Sequence, residues 1–166
     1  YFQSDSPDSQ NMVVTGDTEI DLKTDDWEHV LVPAACASKP LAIPGQEDTF
    51  TIRRSGHSAD LTRLMSVLQK ARADYATQQA AVWIVTDDPS WDGLGQLVSR
   101  PVGAVFGGTR VIDATAAARA IRLCADAGIA VQAKRILGDR QTFAPDVADA
   151  ELKAWLMTLV PAPTKN

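Results

Sequence analysis

The spacing of apolar residues changes once along this chain, near residue 55, and this change limits the folds that the chain can adopt. Up to residue 54 the apolar residues form short β-prone runs at 12–14, 18–22, 30–32 and 50–52. Gly16-Asp17 and Thr24-Asp25-Asp26 supply turn residues between these runs. In the second run, apolar and acidic residues alternate, as in a strand with one solvated face. The N-terminal third is therefore predicted to form a small antiparallel sheet over residues 12–54.

From Ser58 onwards the apolar residues recur with helical spacing. Ser58 precedes an amphipathic pattern that includes Leu61, Leu64 and Leu68, so it is predicted to cap a helix. Further helices are predicted near 76–85, from 88 onwards with Pro89 in the first turn, after Asp113, and near 146–159. A short late strand is predicted at 129–131. Strands followed by four to five helices indicate an α+β fold.

The chain of 166 residues is predicted to hold one domain over residues 12–160, with a short tail at 161–166. Tyr1-Phe2-Gln3-Ser4 resembles the remnant of a protease-cleavable tag, and residues 5–11 are polar. Residues 1–11 are therefore predicted to be a tag remnant and a disordered tether. A polar tether of this kind is typical of a trimmed exported protein and also of a trimmed linker. Of these two readings we expect the first, with a secreted, periplasmic or cell-surface location.

Charge and motifs exclude several classes of function. A net charge of −5 without a basic block argues against nucleic-acid binding, and no apolar stretch approaches the roughly 20 residues needed to cross a bilayer. The acidic residues Asp87, Asp88 and Asp92 are interpreted as helix-cap residues, because a calcium loop needs more oxygen donors. We find no cofactor or metal motif and no acid–base pair, so an enzyme acting on a diffusible substrate is the least favoured reading.

Two residue types that can react with each other stand out. Cys36 lies between two alanines in the strand-rich segment, and Gln79 precedes Trp83 by one helical turn, so the two side chains share a helix face. If Cys36 and Gln79 meet away from water, the thiol can attack the carboxamide, release ammonia and form a thioester. Tyr75 and Trp83 would help to exclude water, and an amine would later open the bond.

These residues carry a resemblance to a known family. A cysteine after a strand region, followed by Gln79-Ala80-Ala81-Val82-Trp83 and then Thr86-Asp87, resembles the thioester domains of bacterial surface adhesins. With Ser90-Trp91, the segment is also similar to exported bacterial domains of unassigned function. The resemblance covers residues 30–98 and implies a thioester between Cys36 and Gln79, covalent linkage to an amine on a partner protein, and binding roles for Tyr75, Trp83 and Trp91. One position differs, since adhesin cysteines usually have an aromatic neighbour.

The second cysteine leaves alternatives open. Cys124 follows Ile121 on the apolar face of a predicted helix, where buried structural cysteines are common. In an oxidising compartment a Cys36–Cys124 disulfide would form, and in a reducing one both thiols would stay free. A disulfide at Cys36 would exclude the thioester. The alternative function is then a non-covalent structural or protein-binding module with the two cysteines as a disulfide or as inert thiols.

Overall fold

The structure is a computed structural model that describes residues 1–19, 29–53, 58–99 and 108–163. Its main sheet has four antiparallel strands in the order β3-β2-β1-β4. These strands are β1 (Phe2–Ser4), β2 (Asn11–Val14), β3 (Ala34–Ala37) and β4 (Phe50–Ile52). A separate two-stranded ribbon pairs β5 (Val98–Ser99) with β6 (Thr109–Arg110).

Helices occupy most of the chain after the sheet. Within the described residues there are seven: α1 (Ala59–Ala71), α2 (Tyr75–Thr86), α3 (Trp91–Leu94), α4 (Ala114–Asp126), α5 (Arg135–Gly138), α6 (Arg140–Phe143) and α7 (Ala150–Thr158). Short 3₁₀ turns span Val131–Ala133 and Ala144–Asp146. The α+β class predicted from the sequence is confirmed. The helices outnumber the four to five expected, because the region after α4 is divided into several short turns.

The helix starts follow their predicted caps. The Ser58 hydroxyl accepts a hydrogen bond from the Leu61 N–H, and the Asp113 carboxylate accepts one from the Ala116 N–H. Pro89, predicted in the first turn of α3, instead precedes the N-cap residue Ser90. No helix in the described residues combines the length and apolar character that a bilayer span requires.

Helix α2 is the centre of the fold. It packs against α4, α1 and β3, and five consecutive residues from Ala80 to Ile84 are at most 3% exposed. Alanines at 117, 118 and 120 of α4 are fully buried, so the two helix backbones can approach closely. A helix that is apolar on every side belongs in a protein interior. The sheet covers α2 through its edge strand β3.

The N-terminal residues differ from the prediction. Residues 1–11 were expected to be a disordered tether, but Phe2–Ser4 pairs with both β2 and β4 inside the sheet. Ser9 and Gln10 are buried, and Gln10 Nε2 donates to the Leu41 carbonyl at 2.9 Å. The backbone of this polar segment finds its hydrogen-bond partners in distant parts of the chain, which local composition does not indicate.

Two predicted strands are also wrong. Residues 30–32 are not in a strand, and the pairing with β2 falls on the alanine-rich Ala34–Ala37 instead. The small side chains of β3 fit beneath α2, so packing overrides the higher β propensity of Val30-Leu31-Val32. Residues 129–131 lead into a 3₁₀ turn rather than a strand. Most of the predicted strand at 18–22 and the predicted turn residues Thr24-Asp25-Asp26 lie outside the described residues.

Candidate functional site

The candidate site lies where helix α2 meets the edge strand β3. The Gln79 side chain is fully buried and forms two hydrogen bonds with the backbone of Cys36. Gln79 Oε1 accepts from the Cys36 N–H at 2.8 Å, and Gln79 Nε2 donates to the Cys36 carbonyl at 2.8 Å. The carboxamide therefore pairs with Cys36 as a neighbouring strand would. The structure brings together the two residues that the sequence pairs chemically.

The neighbouring glutamine has a different environment. Gln78 Nε2 donates to the carbonyl of Ala73 at 2.7 Å, within the first turn of the same helix. Consecutive helical residues point about 100° apart, so only one of the two can face β3. The structure places Gln79 in that position.

Tyr75 completes the hydrogen bonding of the glutamine carbonyl. Tyr75 lies one turn before Gln79, and its hydroxyl donates to Gln79 Oε1 at 3.3 Å. The residue is 53% exposed, so its ring covers the site from the solvent side. Its helix position is fixed by the Asp74 cap, which accepts from the Thr77 N–H at 2.8 Å. The sequence predicts that Tyr75 excludes water and takes part in binding, and its i, i+4 spacing to Gln79 also permits this hydrogen bond.

Burial determines the protonation state of the site. Burial raises the pKa of the Cys36 thiol, and the residue is 7% exposed. The pKa of Tyr75 is also raised, first by burial and then by the negative charge that the nearby Cys36 sulfur carries when it is ionised at high pH. Both groups are therefore protonated at neutral pH. The Cys36 sulfur is present as a thiol and the Tyr75 oxygen as a hydrogen-bond donor.

Trp83 lies one helical turn after Gln79 on α2 and is buried. It is 3% exposed, and the Lys39 ammonium lies 5.9 Å from the centroid of its ring. Its indole nitrogen is buried and has no hydrogen-bond partner among the described residues. Lys39 in turn donates from its side chain to Gln96 Oε1 at 2.6 Å. This lysine follows Cys36 by three residues, and no sequence signal pointed to it.

Trp91 lies in a separate cluster. Its ring stacks on Phe143 with centroids 4.8 Å apart, and the Arg110 guanidinium lies 3.2 Å from its centroid. Arg110 also donates to the Trp91 carbonyl at 2.7 Å. In the described part of the chain, Trp91 forms neither a hydrogen bond nor a ring contact with Cys36 or Gln79. Arg110 was not singled out from the sequence, because its partner is 19 residues away.

The second cysteine does not pair with the first. Both Cys36 and Cys124 are free thiols in the structure. Cys124 is fully buried in α4, and its sulfur lies 3.8 Å from the Ala81 carbonyl oxygen, to which it donates. Burial raises its pKa to about 12. Cys36 is thus available for chemistry other than a disulfide with Cys124.

The acidic residues after α2 accept hydrogen bonds from backbone N–H groups in other parts of the chain. Asp87 accepts from the Lys39 N–H at 3.0 Å and Asp88 from the Arg135 N–H at 2.9 Å. Among the residues that the structure describes, no group of three or more potential metal ligands occurs.

Comparison of the chain with protein-family models, with curated proteins and with solved structures found no match.

Proposed function

We propose that this chain is an exported bacterial interaction domain of the adhesion type, in which Cys36 and Gln79 form an internal thioester that links covalently to an amine of a partner protein. The observation that carries the proposal is the pair of 2.8 Å hydrogen bonds between the Gln79 carboxamide and the Cys36 backbone. These bonds hold the acyl carbon of Gln79 against the residue that carries the thiol. The contact joins residues 43 positions apart, so it depends on the fold as a whole.

The reaction balances without a cofactor. The Cys36 sulfur attacks the Gln79 carboxamide carbon, the carbon–nitrogen bond breaks, and the thiol proton leaves with the nitrogen as ammonia. A partner amine then attacks the same carbon and displaces the sulfur, which recovers a proton as the free thiol. The product is an amide between the Gln79 side chain and the partner. After ammonia has left, the Cys36 carbonyl is free to accept an N–H of the attacking amine.

The burial of the Cys36–Gln79 contact favours a thioester that is hydrolysed slowly. A thioester survives only where water is scarce, and the Gln79 side chain is fully buried while Cys36 is 7% exposed. Val82 and Trp83, about one helical turn after Gln79 on α2, are 0% and 3% exposed. The solvent side is covered by Tyr75. The same burial keeps the thiol protonated, and a protonated thiol is a poor nucleophile. We therefore expect the thioester to form slowly.

A non-covalent structural or protein-binding module is the second candidate, and the pairing of Gln79 with the backbone of β3 favours the structural role. Strand β3 is the last strand of the sheet, where unpaired backbone groups invite pairing with other chains. Gln79 satisfies the N–H and carbonyl of Cys36 at this edge, as a strand of the same sheet would do. In this reading the carboxamide is a structural cap, and Cys36 and Cys124 are inert thiols.

Intact mass measurement under non-reducing conditions separates the two candidates. A thioester makes the chain lighter by one ammonia. Incubation with methylamine then adds one methylamine to this lighter chain, so that Gln79 carries an N-methylamide and the thiol is free again. Gln79→Ala and Cys36→Ala should each have the full calculated mass and take up no methylamine. Gln78→Ala and Cys124→Ala serve as matched controls that should behave like the unsubstituted chain. A full mass without methylamine uptake in the unsubstituted, folded chain would refute the thioester and leave the structural cap.

A further inference from the structure

The carbonyl oxygen of Gln79 receives hydrogen bonds from two separate donors. One is the N–H of Cys36, the residue whose sulfur would attack, at 2.8 Å, and the other is the Tyr75 hydroxyl at 3.3 Å. In acyl transfer, negative charge develops on this oxygen when the nucleophile adds to the carbon. Donors that already point at the oxygen stabilise that charge without reorganisation.

We propose that the Tyr75 hydroxyl and the Cys36 N–H form an oxyanion hole for acyl transfer at the Gln79 carbon. The proposal rests on the thioester function above and gives Tyr75 a catalytic role in it. The hole acts in both steps, because the attack of the thiol on the amide and the attack of the amine on the thioester each pass through a tetrahedral carbon bearing this oxygen. Each step returns the electron pair from oxygen to carbon when ammonia or the thiol leaves.

The position of Tyr75 suits this role. Tyr75 is the first residue of α2, and Gln79 is one turn later, so the helix itself fixes the distance between hydroxyl and carbonyl. Burial and the nearby Cys36 raise the pKa of Tyr75, which keeps the hydroxyl protonated and able to donate. The half-exposed ring also lies at the boundary between the buried Gln79 side chain and solvent.

The test compares Tyr75→Phe with the unsubstituted chain. Phenylalanine keeps the ring that covers the site and removes only the donor, and a half-exposed position tolerates it. Thr77→Val is the matched control, since the Thr77 hydroxyl is buried on the same helix turn without a hydrogen-bond partner among the described residues. The rates of methylamine uptake and of spontaneous hydrolysis are followed by intact mass, and thermal unfolding verifies that all three chains are folded.

We expect Tyr75→Phe to slow both reactions at least about tenfold, because removing one donor from an oxyanion hole costs about 10²–10³-fold in established cases and this donor is comparatively long. Thr77→Val should keep the unsubstituted rates. A folded Tyr75→Phe chain that never loses ammonia, while the unsubstituted chain does, also supports the hole.

Two results would overturn the inference, and they differ from each other. Unchanged rates in Tyr75→Phe, with a thioester present, would show that Tyr75 acts only as a cover and would leave the proposed function intact. A folded, unsubstituted chain of full mass that takes up no methylamine would refute both the thioester and its oxyanion hole.

Discussion

The Gln79 carboxamide is a neutral polar group in a fully buried position, and such groups are stable only when their hydrogen bonds are satisfied. Its oxygen has two donors and its nitrogen one acceptor in the structure. Both Cys36 backbone groups depend on it in return. The contact between α2 and β3 is therefore a polar contact within an otherwise apolar core.

Replacing Gln79 with alanine should destabilise the fold by about 2–4 kcal/mol, because the buried Cys36 N–H and carbonyl lose their partner and a cavity remains. Urea unfolding measures this loss, which is expected whether or not a thioester forms. Gln78→Ala removes a single bond to the Ala73 carbonyl and should cost less than about 1 kcal/mol. Equal losses in the two variants would mean that Gln79 does not pair with Cys36.

At the scale of elements, the ends of the helices are set by local signals. Helix α4 begins at the Asp113 cap and ends before Gly128, which has a φ of +70°. The N–H of Gly128 donates to the Ala125 carbonyl at 2.9 Å, and that of Ile129 to the Cys124 carbonyl at 3.0 Å. These bonds satisfy carbonyls at the end of the helix.

Gly128→Ala should therefore destabilise the protein by about 1 kcal/mol, because a side chain at positive φ is strained. An added Cβ meets nothing within 4 Å, so the effect is purely conformational. Gly138 in α5 offers a matched control, because it has the same open space without a positive φ. Thermal unfolding should show Gly138→Ala unchanged or stabilised by less than about 1 kcal/mol. Equal destabilisation of both variants would contradict this reading of Gly128.

At the scale of the whole molecule, the packing of α2 on α4 holds the core together, and Cys124 lies inside it. Burial raises the pKa of Cys124 from its ordinary 9.0 to about 12. The folded state therefore retains a proton that the unfolded state loses in this range. The titration of Cys124 therefore leaves the free energy of unfolding unchanged below pH 9.0 and lowers it as the pH rises towards 12, because only the unfolded chain loses the proton in this range.

Cys124→Ala should remove this alkaline loss of unfolding free energy, because alanine has no thiol to titrate. Between pH 9 and 12 the unsubstituted chain should lose more unfolding free energy than Cys124→Ala, by up to about 4 kcal/mol. Urea unfolding at a series of alkaline pH values measures the two slopes. The raised pKa values of Cys36 and Tyr75 affect both chains, so they cancel in the comparison. Parallel slopes would show that Cys124 titrates normally in the folded chain.

The sequence alone predicted the α+β class, the cap at Ser58, the helix start after Asp113, and the placement of Gln79 and Trp83 on one helix face. Each of these follows from local spacing or from the chemistry of neighbouring residues, which a linear sequence displays. Only the tertiary structure decided that Phe2–Ser4 joins the sheet, that Ala34–Ala37 pairs with β2 in place of 30–32, and that Cys36 meets Gln79 rather than Cys124. Those outcomes depend on strand pairing and helix packing between distant residues, whose energies exceed the local propensities and appear only when the whole chain is folded.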